Sequence, residues 1–288
     1  MKLAVFGAGN MGSALVTALR AANYDVTVWN RTSDKAMPLQ STGAIVSSSA
    51  ESAASANDCL ILSLADCFAA KRVLETCRSE LMGKRVIQLT TGKPEEARSL
   101  SAFVTEAGGR YLDGAIMGFP NHVGTSANTV LYSGNEDVLN ECRDVLEALG
   151  AVNYFGAEPG AASAFDIACL MPIVAMNVGL FQALKVCENE GLDAARYDAF
   201  VREWMPLILE DSLGKYRSYG FAKDTEKAEC TIGLMATIAK LFADYTEDTG
   251  IEPAMFAALS KLFGGGVEQG MSSFDWVNTA EIKLKARE

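Results

Sequence analysis

The first half of the chain alternates short, nearly continuous apolar runs with amphipathic stretches of helical period. LAVFG at residues 3 to 7, DVTVWN at 25 to 30, CLILSL at 59 to 64 and RVIQLT at 85 to 90 have the length and β-branched content of strands. The stretches 11 to 22, 66 to 77 and 94 to 107 between them read as helices. Strand, helix and strand in that order imply βαβ units and a mostly parallel sheet. Further strands are predicted at 110 to 117 and 129 to 133, on either side of the loop GFPNHVGTSAN. A helix at 136 to 149 and a short strand near 152 to 155 would complete this part.

Beyond Pro159 the strand-like runs stop. Helical segments are predicted at about 160 to 190, 194 to 218, 225 to 249, 254 to 263 and 276 to 285. The expected fold class is an α/β Rossmann N-terminal domain plus an all-α C-terminal domain joined by a long interdomain helix. The expected boundaries are 1–158 for the nucleotide-binding part, 159–190 for the interdomain helix and 191–288 for the helical domain. Residues 167 to 184 carry no charge, which touches the lower limit for a membrane span. They contain Pro172, Asn177, Gly179 and Gln182 and follow an α/β domain. The expectation is therefore no membrane partner but a core helix buried all round, packed against a second subunit.

Composition narrows the partners. The 288 residues are 49% hydrophobic, enough for a large core, and the net charge is −11. No Lys/Arg stripe is present, which argues against nucleic acid and anionic membranes and for a small-molecule ligand. Seven cysteines without a C-x-x-C spacing read as reduced thiols of a cytoplasmic protein. The opening MKLAVFGAGNMG, with one lysine and four apolar residues before the glycines, does not read as a secretory signal. His122 is the only histidine, so neither a histidine metal cage nor a Ser-His-Asp triad is expected, and no metal is expected.

Gly7, Gly9 and Gly12 form G-x-G-x-x-G between a strand and a helix, with Ala8, Asn10 and Met11 between them. The first glycine allows a tight turn, the second lets backbone approach a pyrophosphate, and the third packs helix on strand. At the end of the second strand, an NAD-specific site would place a carboxylate on the ribose. This chain has Asn30, Arg31 and Thr32 there, with Lys35 one turn on, and Asp34 comes too late. Two cations and two small polar groups suit a 2′-phosphate, so the expected cofactor is NADPH. The bland alternative is a solvated basic edge.

FGAGNMGSALVTAL, VWNRTSDKA, SLAD, QLTTGKPEEA, YLDGAIMGFP, VLYSGNEDV and PGAASAFDIACL span most of the first 170 residues. In these segments the chain resembles the β-hydroxyacid dehydrogenase superfamily and, within it, the NADPH-dependent imine reductases. The hydroxyacid dehydrogenases carry a G-x-G-x-x-x-K segment and an asparagine four residues later. Here Asp166 stands at the lysine position and Leu170 at the asparagine position. Many imine reductases carry aspartate there. They often add a tyrosine two turns later, where this chain has Val174.

The resemblance implies reduction of an imine or iminium substrate to an amine, with Asp166 as the catalytic group. A lysine cation would repel a protonated imine, whereas a carboxylate can anchor an iminium or, when protonated, donate to a neutral imine. The competing reading of Asp166 is an early-turn helix residue facing solvent. Leu64 and Ala65 are expected beside the cofactor, and Thr91, Met117, Gly118 and Phe119 near the nicotinamide; Met117 and Phe119 read equally as plain packing. The resemblance further implies a homodimer with interlocked helical domains. Trp204 then closes the pocket from the partner subunit, or is an ordinary core tryptophan. The alternatives are an NADP-dependent hydroxyacid dehydrogenase and a catalytically silent NADPH-binding dimer.

Overall fold

The structure, a computed structural model, describes residues 1–221 and 228–284. The chain divides into two compact units, Met1–Ile173 and the residues from Val174 onward.

The first unit is built on eight strands: β1 Leu3–Phe6, β2 Val26–Trp29, β3 Ile45–Val46, β4 Cys59–Leu62, β5 Arg85–Gln88, β6 Arg110–Met117, β7 Thr129–Gly134 and β8 Ala151–Tyr154. They form one sheet in the order β3-β2-β1-β4-β5-β6-β7-β8. All pairs are parallel except β6 with β7. Its helices are α1 Asn10–Ala21, α2 Ala50–Ser55, α3 Cys67–Thr76, α4 Pro94–Glu106, α5 Glu136–Glu141 and α6 Arg143–Glu147.

Alternation along each strand explains the two-sided core. Leu3, Val5, Cys59 and Ile61 face one layer with Leu15 and Leu19 of α1 and Val138, Val145 and Leu146 of α5 and α6. Ala4, Phe6, Leu60 and Leu62 face the other with Ala53 of α2, Leu74 of α3 and Leu100 of α4. Strands buried on both faces have to be apolar throughout, which is why they read as continuous runs.

The helix α7, Ala161–Asn189, leaves the first unit and enters the second, which adds α8 Ala194–Tyr219, α9 Ile232–Thr249 and α10 Ala254–Glu268. Its small core gathers Ile232, Ala239, Phe263, Met271 and Ile282. Among the described residues α7 is the one helix long and apolar enough to cross a membrane. The helix expected to be buried all round is not buried within one chain: Met171 is 68% and Phe181 66% exposed. α8 has no fully buried side chain in 26 residues.

Several boundaries differ from expectation. β3 and α2 were not foreseen, since two residues and an alanine-serine string carry little periodic contrast; Ser49 caps α2 by accepting from Ser52 N–H at 3.1 Å. The helix at 136 to 149 is two short ones joined at Cys142. The segment expected from 225 begins at Ile232 behind its cap Thr231; its first residues, 225 to 227, lie outside the described residues, as does 285. Residues 276 to 281 form a tighter 3₁₀ turn. α10 runs through its glycines because they make close contacts: a Cβ on Gly265 would lie 2.5 Å from Leu284 and one on Gly266 2.7 Å from Ile282.

Candidate active site

β1, β2, β4, β5 and β6 run parallel, so their C-terminal ends share one edge of the sheet. In the order β3-β2-β1-β4 the chain reverses direction of travel between β1 and β4, which opens a ligand crevice beyond those strand ends. Gly7 and Ser63 follow β1 and β4 at this point. Gly7 has φ +112°, and a Cβ there would lie 2.0 Å from the carbonyl oxygen of Ser63. Only glycine fits, because the neighbouring strand has taken the space. A Cβ on Gly12 would lie 2.1 Å from the Gly7 carbonyl oxygen, whereas one on Gly9 would meet nothing within 4 Å.

The loop is therefore closed on the protein side and open above Gly9. No side chain caps α1 and no acidic residue stands in its first turn, which leaves the positive end of the helix for an anion. Closed below, open above and electropositive at the mouth, the cradle fits a dinucleotide pyrophosphate. Gly7, Ala8, Gly9, Asn10, Met11 and Gly12 would hold it through backbone.

Asn30 braces this cradle from β2. Its Oδ1 accepts from the Ala8 N–H at 3.0 Å and its Nδ2 donates to the Thr32 carbonyl at 2.8 Å. Arg31, Thr32 and Lys35 are exposed, and among the described residues neither cation is ion-paired. Leu64 is half-buried and donates its N–H to Thr90 Oγ1 at 3.0 Å, while Ala65 and Thr91 are exposed. Buried Gln88 in turn accepts from the Thr90 N–H at 3.2 Å, locking the loops after β4 and β5 together. Gln88 and Thr90 were missed by sequence reasoning, since a strand-end pair of this kind is visible only once β4 and β5 are neighbours.

β6 continues four residues past Asp113, the partner of the last residue of β5, and so carries Ala115 and Met117 beyond the edge. Met117 and Gly118 are half-buried. Phe119 is 71% exposed and rests edge-on against His122, with ring centroids 5.7 Å apart. Ala162 of α7 packs with Ala115, Leu131 and Met117. Asp166 follows one turn later on the same face.

Asp166 is 3% exposed, although Ala164 and Phe165 beside it face outward. The solvent-facing reading is thereby overturned. Among the described residues no hydrogen bond or ion pair meets its carboxyl, and burial raises its pKa above the ordinary value. Leu170 is half-buried. Val174 and Trp204 belong to the second unit, where they are 61% and 50% exposed; Trp204 stacks on Phe200 at 6.0 Å and is no core residue.

A second carboxylate escaped sequence reasoning. Asp113 of β6 is 1% exposed, accepts from Ser163 Oγ at 2.7 Å and from the Ser163 N–H at 3.3 Å, and meets Tyr111 Oη at 3.4 Å. Burial pushes its pKa up to about 6 against the pull of these hydrogen bonds. Its signal was the one that singled out Asp166: an acid inside an apolar element. Among the described residues no group of three or more His, Cys, Asp or Glu side chains is placed to hold a metal ion.

Residues 2–157 match the NAD binding domain of 6-phosphogluconate dehydrogenase, and residues 158–284 match the NADPH-dependent reductive aminase-like C-terminal domain. The NADPH-dependent reductive aminase of Aspergillus oryzae is 34% identical over 65% of this chain, an alignment that spans 64% of that protein. Among solved structures, the imine reductase from Myxococcus stipitatus in complex with NADP+ superposes with a TM-score of 0.88. It is 29% identical, covering 98% of this chain and 99% of that one. The reductive aminase from Aspergillus terreus in complex with NADPH and ethyl levulinate gives 0.84 at 28% identity, covering 97% and 98%. With both halves matched in order, the chain belongs to the imine reductase and reductive aminase family, built on the NAD binding domain of 6-phosphogluconate dehydrogenase.

Proposed function

We propose that this chain is an NADPH-dependent reductase of C=N bonds that turns imines or iminium ions into amines. The observation that carries the reading is Asp166: a buried carboxyl without a hydrogen-bond partner among the described residues, one helical turn from Ala162, which packs on Ala115 and Met117 of β6. NADPH, when bound, supplies the hydride for the electrophilic carbon. The protein's own part is to hold the nucleotide on Gly7 to Gly12, to meet its 2′-phosphate with Arg31, Thr32 and Lys35, and to serve the substrate nitrogen with Asp166.

The carboxyl can serve that nitrogen in either protonation state. Protonated, it donates to a neutral imine and is reprotonated from solvent; ionised, it is the counter-ion of an iminium. Burial favours the first state and an arriving cation favours the second. The hydroxyacid dehydrogenase alternative lacks its lysine at Asp166 and its asparagine at Leu170. Met117, Gly118 and Phe119 would line the substrate side with Thr91 and Leu170.

We further propose a homodimer in which the exposed apolar helices of the second unit are covered by a partner, so that Val174 and Trp204 complete a pocket only in the assembly. All seven cysteines are free thiols, in keeping with a reducing, cytoplasmic setting.

NADPH consumption with a cyclic imine, a ketone plus amine mixture and a 3-hydroxyacid tests the reading. Imine turnover is expected, and Asp166→Asn should lower kcat by about 100-fold, the usual scale for a lost proton donor, with NADPH affinity retained. Unchanged turnover would remove Asp166 from the chemistry. Cofactor binding without turnover of any substrate would leave the silent binder.

A further inference from the structure

We infer that Asp113 is a positioning residue for Asp166: from β6 it fixes the first turn of α7 and, with it, the carboxyl one turn along. The inference rests on Asp166 serving the imine nitrogen. Asp113 and Ser133 sit opposite each other in the antiparallel pairing of β6 and β7. Each reaches one of two consecutive residues at the start of α7. Ser133 Oγ accepts from the Ala162 N–H at 3.0 Å, while Asp113 Oδ2 accepts from the Ser163 N–H and Oγ.

The first N–H groups of a helix have no partner within it. Here two of them are taken by side chains of two adjacent strands, so the sheet itself sets where α7 begins and how it is rotated. Ser163 and Asp166 are three residues apart, about 4.5 Å along the axis and within roughly 60° around it. Both are buried, at 4% and 3%, while Ala164 and Phe165 between them are exposed. A slip of one residue would turn the helix by about 100° and carry Asp166 off this face.

Satisfying those donors needs no charge, since a neutral asparagine or serine would accept them at lower desolvation cost. What a buried carboxylate adds is a short, stiff bond to the Ser163 hydroxyl, 2.7 Å long here. Stiffness matters for a group whose task is placement, because a misplacement of about 1 Å can cost about 100-fold in rate.

The test is a set of variants, Asp113→Ala, Asp113→Asn and Ser163→Ala, each made with Asp166 intact and with Asp166→Asn. With Asp166 intact, Asp113→Ala is expected to lower kcat for a cyclic imine by about tenfold or more, leaving KM and the NADPH Kd within about twofold. Asp113→Asn should restore part of that loss. In the Asp166→Asn background, Asp113→Ala should cost nothing further, because no carboxyl is left to place. A merely structural role would reduce both backgrounds alike through loss of folded enzyme.

Full kcat in Asp113→Ala, or an equal loss in both backgrounds, overturns the tether. Impaired Asp166→Asn beside unaffected Asp113→Ala overturns the tether only, whereas unimpaired Asp166→Asn overturns both readings. If Asp113→Ala does not fold, Ser163→Ala removes one donor and keeps the backbone bond. A kcat about threefold lower at unchanged NADPH Kd is then expected, and an unchanged kcat overturns the inference.

Discussion

At the end of β2, adjacent side chains carry separable tasks. Asn30 is spent inside the protein, bridging the Ala8 N–H and the Thr32 carbonyl, whereas Arg31 is exposed and unpaired among the described residues. Removing Asn30 would leave the N–H of Ala8, a residue only 6% exposed, without its acceptor, at a cost of about 1–3 kcal/mol. Asn30→Ala should therefore weaken NADPH and NADH alike and lower the Tm. Arg31→Ala should act on one cofactor only. A charge-assisted bond to a 2′-phosphate contributes about 1.5–3 kcal/mol, so NADPH affinity should fall by about tenfold or more while NADH affinity stays within about twofold. Fluorescence titration with both cofactors separates the two effects, and unchanged NADPH affinity in Arg31→Ala would make it a solvated basic edge.

At the scale of elements, β6 and the start of α7 carry a second measurable consequence. Asp113 ionises at about 6 in the folded protein, above the value near 4 of an unfolded chain. Between those limits the folded state binds the extra proton, so acid favours it. The contribution is present in full below about pH 4 and is lost as pH rises through about 6. The gap corresponds to about 3 kcal/mol. Asp113→Asn, which cannot ionise, should therefore gain stability relative to the parent as pH rises from 4 to 7. Urea unfolding at stepped pH measures that divergence, and parallel profiles would mean that Asp113 titrates normally. What could be read from sequence follows the same physics. β1 and its glycines were legible because burial on both faces and the Ser63 carbonyl allow few other residues. Asp166 was legible as a charge in an apolar helix. Ser133 and Ser163 were not, since their role exists only once β7 lies opposite β6 and the helix starts above both. The end of α10 was misplaced because GGG reads as a stop, while the fold uses two of those glycines for contact with Leu284 and Ile282.

For the whole molecule, the second unit exposes more apolar surface than one chain can account for. Val174, Val178 and Phe181 recur at helical spacing on α7, and Phe200, Trp204 and Leu207 repeat that spacing on α8; their exposures run from 41% to 66%. Stripes at i, i+4 and i+7 are what a helix presents to a packing partner. A 26-residue helix with no buried side chain has little tertiary support within one chain beyond the ion pairs of Lys215 with Glu229 and Asp275, and helices are marginal in water without such support. Large exposed patches mark protein or membrane contacts. The homodimer reading predicts that light scattering after gel filtration gives twice the 30.7 kDa of one chain. Placing a charge within the stripes, as in Phe181→Glu with Leu207→Glu, should give monomers, because burying a charge without a partner costs more than the apolar contact gains. If the pocket is completed by a partner, those monomers should still titrate with NADPH through the first unit and lose imine turnover. Turnover unchanged in a verified monomer would place the whole site within one chain. A parent protein that sediments with membranes, in place of a soluble dimer, would assign the apolar helices to lipid.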